Sequence, residues 1–138
     1  MKFLNNGHLE KFKTLLNEDN THPRDCERQS LFYIISGNED LFQKRKHLYN
    51  FKDNCVKLNC LTDGSVDLSS SAGALVRLGF NLYNNYEDKH TNPLDIFYNL
   101  DSDNYNLAME SINIRFNREA EKELNNENEE EVEEDYEP

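Results

Sequence analysis

SSAGALVRLGFNLYNNY, residues 70–86, puts apolar or small side chains at Ala72, Ala74, Leu75, Val76, Leu78, Phe80, Leu82 and Tyr83. Wound as a helix, those positions cover nearly the whole circumference, and Arg77, Asn81 and Asn84 or Asn85 leave only a narrow polar stripe. A helix with so little polar surface has to be covered by other elements, so this stretch is read as the centre of a helical bundle. Gly73 and Gly79 lack a side chain and would let neighbouring elements approach it closely, at some cost in helix propensity.

Working toward the amino terminus, Leu9, Phe12, Leu15 and Leu16 recur at helical spacing, with Asn5 or Asn6 available as an N-cap. Asp25 can cap a second helix over CERQSLFYIIS, with Gly37 as the left-handed residue that stops it. Asn38 can cap a third over EDLFQKRKHLYN, burying Leu41, Phe42, Leu48 and Tyr49. Residues 51–69 show no sustained period and are read as loop with room for a small hairpin, Asp63-Gly64 marking a turn. Toward the carboxyl terminus, Pro93 after the cap Asn92 opens a short helix. Asp101 caps a last one, with Tyr105, Ala108, Met109, Ile112 and Phe116 on one face. The expectation is an all-α fold, a compact bundle of five or six helices around residues 70–86.

Charge divides the chain of 138 residues in two. The formal charge is -12, but residues 119–138 hold 11 carboxylates against one lysine, a balance of -10, which leaves -2 for the first 118 residues. Of the 15 Phe and Tyr, only Tyr136 lies in that acidic segment. A stretch with few apolar groups and dense like charge cannot bury enough surface to offset the entropy of ordering. Residues 1–118 are therefore expected to form one helical domain and residues 119–138 a disordered acidic tail.

The opening MKFLNNGHLEKF has no apolar run of signal-peptide type, and nowhere do 18 apolar residues follow one another, so a cytoplasmic protein without membrane association is expected. Three cysteines are too few and too odd for a disulfide framework. Asparagine occurs 20 times and alanine 4 times, which is read as the codon bias of an AT-rich genome.

For chemistry, His22-x3-Cys26 and Cys55-x4-Cys60 supply the residue types of a tetrahedral zinc site, although the spacing is looser than CxxC and buried free thiols are common. Cys26 beside His22 and Asp25 offers the parts of a nucleophilic centre without a signature for one. His8, His47 and His90 sit on polar or mixed stretches, where a solvated ring is expected. No phosphate-binding glycine loop is present, and no cofactor is expected. Lys44, Arg45 and Lys46 form the one basic concentration, but a nearly neutral body with an acidic extension argues against direct nucleic-acid binding. That cluster, Tyr83, Tyr86 and the acidic Glu129, Glu130 and Glu131 are the candidate partner-binding residues.

The segments LFYIISGNEDLFQKRKHLYNF, ALVRLGFNLYNNY and NPLDIFYNLDSDNYNLAMESINIRF, taken in order, resemble a family of small proteins of unknown function from low-GC Gram-positive bacteria and their phages. The likeness covers Phe3 to Phe116 and leaves the acidic tail outside. It brings no catalytic residues. It implies a phage or mobile-element setting, in which small acidic proteins of the host cytoplasm often inhibit host defence, CRISPR systems included. The functional expectation is thus a non-enzymatic, anti-CRISPR-like protein that binds and inhibits a bacterial defence complex, such as a nucleic-acid-handling effector, by protein contact. The alternative is a small zinc-binding regulatory module organised by His22, Cys26, Cys55 and Cys60.

Overall fold

The computed structural model describes residues 1–118. Among them the order of elements is α1 (Asn6–Asp19), α2 (Cys26–Gly37), α3 (Glu39–Gln43), α4 (Arg45–Leu48), β1 (Tyr49–Asn50), β2 (Cys55–Val56), α5 (Asn59–Thr62), α6 (Ser70–Asn84), α7 (Pro93–Phe97) and α8 (Ser102–Arg115). The protein is all-α, with one two-residue antiparallel ladder pairing Tyr49 with Val56 and Asn50 with Cys55. Residues 119–138, read as an acidic tail, lie outside the described residues.

Each long helix begins at a side chain that satisfies one of its unpaired amides. Asn5 accepts from His8 N–H, Asp25 from Arg28, Ser69 from Ala72 and Asp101 from Asn104, and the short α3 and α7 are capped by Asn38 and Asn92. Asparagine also stops three of the long ones. Asn20, Asn85 and Asn117 follow α1, α6 and α8 with φ of 55°, 65° and 59°, and Asn54 closes the hairpin turn at 56°. Among residues with a Cβ, asparagine tolerates this left-handed conformation best, because its short amide can bond locally. A good part of the asparagine excess is therefore structural, which codon bias alone would not explain.

α6 is buried on most of its circumference, as its sequence implies. It shares the middle of the bundle with α2, whose residues Ser30 to Ser36 are all buried and against which α1, α6 and α8 pack. Two glycines permit this. A Cβ on Gly79 would stand 2.9 Å from Leu31 Cδ1, so α6 closes on α2 there. A Cβ on Gly37 would stand 2.1 Å from Leu107 Cδ2 and 2.9 Å from His8 Nε2. Gly37 was expected to end α2 in a left-handed turn; instead it is the last helical residue, Asn38 after it is extended, and its value is the room it leaves for α1 and α8. Gly73 meets only the guanidinium of Arg77 in its own helix, and so does not admit a neighbour.

The third expected helix is broken. It turns at Lys44, restarts as α4 and stops at Leu48, because Tyr49 leaves for the hairpin with φ -140° and ψ 137°. There its fully buried ring packs edge-on against Phe32 at 5.0 Å and Phe51 at 4.9 Å. Tertiary packing of one aromatic outweighs the local helical period. Among the described residues no helix is long and apolar enough to cross a membrane.

Candidate functional site

α7 is short, and its one fully buried side chain is Ile96. Leu94 and Tyr98, four positions apart and so on one side of the chain's turn, are 72% and 78% exposed. Facing them, α8 presents Tyr105 and Met109, again four apart, at 46% and 41% exposure. The rings of Phe97 and Tyr105 meet edge-on at 5.8 Å and close the floor between the two helices. With Pro93 these five residues line an apolar cleft of about 540 Å³. A contiguous apolar surface on a folded protein is a candidate place of association, which scattered single leucines are not.

The apolar face read from the period of α8 is not the side it turns inward. Of the face Tyr105, Ala108, Met109, Ile112 and Phe116, only Ala108 is fully buried; the side turned inward carries Leu107, Ala108, Glu110, Ser111 and Ile114. The polar members are satisfied there. Ser111 Oγ donates to Ala108 C=O at 2.7 Å, and the Glu110 carboxylate accepts from the backbone N–H of Lys2 at 3.0 Å and from Asn113 at 3.1 Å. Tyr105 and Met109 were in view in the sequence as members of one apolar face, but their place beside Leu94 and Tyr98 was not.

A second hollow, of about 360 Å³, is polar and lies where the end of α1, the start of α2 and the hairpin meet. Asp19 is its centre, with its side chain 1% exposed. It accepts from Tyr49 Oη at 2.6 Å, from Asn54 Nδ2 at 2.7 Å and from Thr21 Oγ1, and Arg28 Nε stands 3.7 Å away. Burial alone would raise the Asp19 pKa, but the bonds from Thr21, Tyr49 and Asn54 and the charge of Arg28 outweigh it and hold it below the ordinary carboxylate value. Arg28 is equally committed: Nε to Tyr49 Oη, Nη1 to Asp25 and Nη2 to Asn54 C=O. Groups that satisfy one another in this way lock three chain segments together, and an ionised, fully bonded Asp19 is a poor proton shuttle.

His8 is buried, 3% exposed, where a solvated ring was expected. Its Nδ1 accepts from Leu4 N–H at 3.1 Å, so Nε2 carries the proton and donates to Tyr33 C=O at 3.0 Å. The ring sits 4.9 Å from that of Phe3 and 4.6 Å from that of Tyr33. Burial pushes its pKa down, against the raising effect of the Tyr33 carbonyl. The neutral ring pins the amino-terminal segment to α2, a task no period in the sequence announces.

The residues singled out from sequence are dispersed. His22 is exposed in the α1–α2 loop with Nδ1 accepting from Arg24 N–H; Cys26 is half-buried at the start of α2, its Sγ 3.6 Å from Glu27 and 3.7 Å from Arg115. Cys55 is exposed on β2 and Cys60 is buried in α5, where burial pushes its thiol up to about 11 and keeps it protonated. Among the described residues no three His, Cys, Asp or Glu side chains are grouped to hold a metal ion. Lys44 pairs with Asp40 at 2.9 Å and reaches the Asp67 carbonyl. Arg45 pairs with Glu18 at 3.2 Å over the Phe42 ring, while Lys46 is exposed and forms no ion pair among the described residues. The Tyr83 ring carries the Arg28 guanidinium at 5.5 Å, and Tyr86 donates to Asp88 at 2.8 Å. Glu129, Glu130 and Glu131 lie outside the described residues.

Fold and surface together define a small all-α protein with an apolar cleft between its last two helices. The chain belongs to a family of unknown function, DUF6075, whose model matches residues 1–128. The match runs past Phe116, where the resemblance read from sequence ended, and takes in the first part of the acidic segment. Comparison with curated proteins returns no match, and neither does comparison with solved structures.

Proposed function

We propose that the protein acts without catalysis, by binding another protein through its helical body, and that it inhibits a bacterial nucleic-acid-handling defence complex in the cytoplasm. The observation that carries the binding role is the cleft of α7 and α8, where Leu94, Tyr98, Tyr105 and Met109 hold apolar surface in water. Exposing such groups opposes solubility unless something covers them, and rigid aromatics at the centre of a patch are the residues that most often dominate a protein interface. The polar hollow around Asp19 supports the same reading, since its donors and acceptors are spent on each other. The choice of target comes from the resemblance to phage-associated proteins and from the acidic extension.

Purification with candidate effector complexes tests it. Co-elution of the wild-type chain, with reduced target-DNA binding by the complex and restored phage plating, is the expected result. No co-elution and unchanged plating would remove the inhibitor reading. Deleting residues 119–138 separates body from polyanion: inhibition that survives comes from the helical domain, and inhibition that vanishes and falls steeply with salt comes from the acidic segment.

A further inference from the structure

Residues 1–4 belong to no helix or strand, and they are fastened to the body around His8. The Leu4 N–H donates to His8 Nδ1 at 3.1 Å, and the Phe3 ring packs on the imidazole at 4.9 Å and on Tyr33 at 5.7 Å. The Lys2 carbonyl accepts from the Tyr33 hydroxyl, and the Lys2 N–H reaches Glu110 on α8 at 3.0 Å. On its inner side the imidazole has no room to shift. A Cβ on Gly37 would already stand 2.9 Å from Nε2 and 3.0 Å from Cε1, and Leu107 closes the same spot from α8. The ring is thus boxed in by α2 and α8, and its movable wall is residues 1–4.

Both ring nitrogens are in use in the neutral state, Nδ1 as acceptor and Nε2 as donor. A second proton turns Nδ1 into a donor aimed at the Leu4 N–H, so that bond cannot survive, while Nε2 keeps its bond to the Tyr33 carbonyl. A buried cation whose new N–H lacks an acceptor is costly, and water is the acceptor at hand once residues 1–4 move aside. The charged groups about the ring come from each packed element. Lys11, one turn on in α1, opposes a positive ring and is itself paired with Glu39 of α3; the Met1 ammonium and Lys2 lie in the covering segment. α2 brings Tyr33, and Glu110 of α8 lines a hollow with Leu4 and Tyr33 while bonded to Lys2. We infer that protonation of His8 releases residues 1–4 from α2 and α8 as one piece, with the helices still folded. Such a segment can open by itself because it carries no share of the helical hydrogen bonding. Its release uncovers the hollow of about 470 Å³ beneath Lys2, Phe3 and Leu4, next to Met109 at the border of the α7–α8 cleft.

The test is NMR on the full chain between about pH 7.5 and pH 5, following the His8 imidazole and the exchange of backbone amides. The closed ring resists a proton that an opened one takes up at the ordinary 6.5, so the opening constant should rise as pH falls below that value, by at most about tenfold per pH unit for one proton. The Leu4 amide should lose protection with the same midpoint as the imidazole, while amides in α2 and α6 stay protected. Tyr33→Phe removes the hydroxyl bond to Lys2 and keeps the titrating ring; by easing the opening it should move the His8 midpoint up toward 6.5. His8→Gln has no second proton to take up, so its Leu4 amide should show no titration there, whether it starts protected or already open. An imidazole still neutral at about pH 5 would overturn the inference. So would a charged ring with Leu4 still protected, loss of α2 protection at the same midpoint, an unmoved His8 midpoint in Tyr33→Phe, or the wild-type pH dependence surviving in His8→Gln.

Discussion

The phenol of Tyr49 donates to the buried carboxylate of Asp19 across 30 positions of sequence, at 2.6 Å. This bond joins the hairpin to the end of α1, and Arg28 joins both to α2. Tyr49→Phe keeps the ring packed but leaves Asp19 one donor short, so it should cost about 1–2 kcal/mol in urea unfolding. Asp19→Ala removes the acceptor of several bonds and should cost more, on the order of 3 kcal/mol. Because the two residues share one network, the double variant should be less destabilised than the sum. A Tyr49→Phe protein as stable as wild type would show that the bond contributes nothing net.

Acid should weaken the fold in two windows. His8 is held below its ordinary 6.5, so below pH 6.5 the unfolded chain takes up a proton that the folded ring resists, and stability falls; above 6.5 both states are neutral there and this group adds no slope. Asp19 is held below 3.8, so its contribution is complete above that value and is lost as pH falls through its lower folded-state value. Urea midpoints for wild type and His8→Gln between about pH 7.5 and pH 5.5 isolate the first window, with a slope of at most about 1.4 kcal/mol per pH unit for one proton. Parallel pH profiles would rule out His8 as the source.

Two glycines should answer differently to one methyl group. Gly37→Ala would force Leu107 or His8 aside and should destabilise by about 1–3 kcal/mol, a drop in Tm of several degrees. Gly73→Ala meets only the movable end of Arg77 in mid-helix and should be neutral or stabilise by up to about 1 kcal/mol. Differential scanning calorimetry of both variants decides, and a Gly37→Ala protein with unchanged Tm would mean that α1 and α8 do not close on α2 as described.

The thiols should react in order of exposure. Cys55 is exposed, whereas Cys60 is buried with its pKa pushed up to about 11. At mildly alkaline pH, alkylation followed by mass spectrometry should label Cys60 more than about tenfold more slowly than Cys55, because the thiolate is the reactive form. Zinc that protected Cys55 and Cys60 together would reverse this expectation and restore the metal-centre alternative.

The helices were legible because their signals are local. Asn5, Asp25, Asn38, Asn92 and Asp101 all cap as their positions imply, and the apolar girth of residues 70–86 fixes α6 as buried. What was not legible depended on partners far along the chain. Tyr49 leaves its helix for Phe32 and Asp19; Glu110 and Ser111 go inward because Lys2, Asn113 and Ala108 satisfy them. Once those polar groups occupy the interior face of α8, Tyr105 and Met109 have to face out, and the cleft exists. A sequence with apolar residues on two sides of one helix, such as Leu107 and Ile114 against Tyr105 and Met109, signals a second surface but cannot say which side is the core.

Lys2 is held at both ends of its backbone, its N–H bonded to Glu110 and its carbonyl accepting from the Tyr33 hydroxyl, and it lines a hollow with Met109, which also borders the cleft. Anything fused ahead of Met1 would therefore emerge beside the surface that an interaction assay needs open. An affinity handle at that end would act as a competitor, and a missed interaction in a screen run with such a fusion would report on the handle.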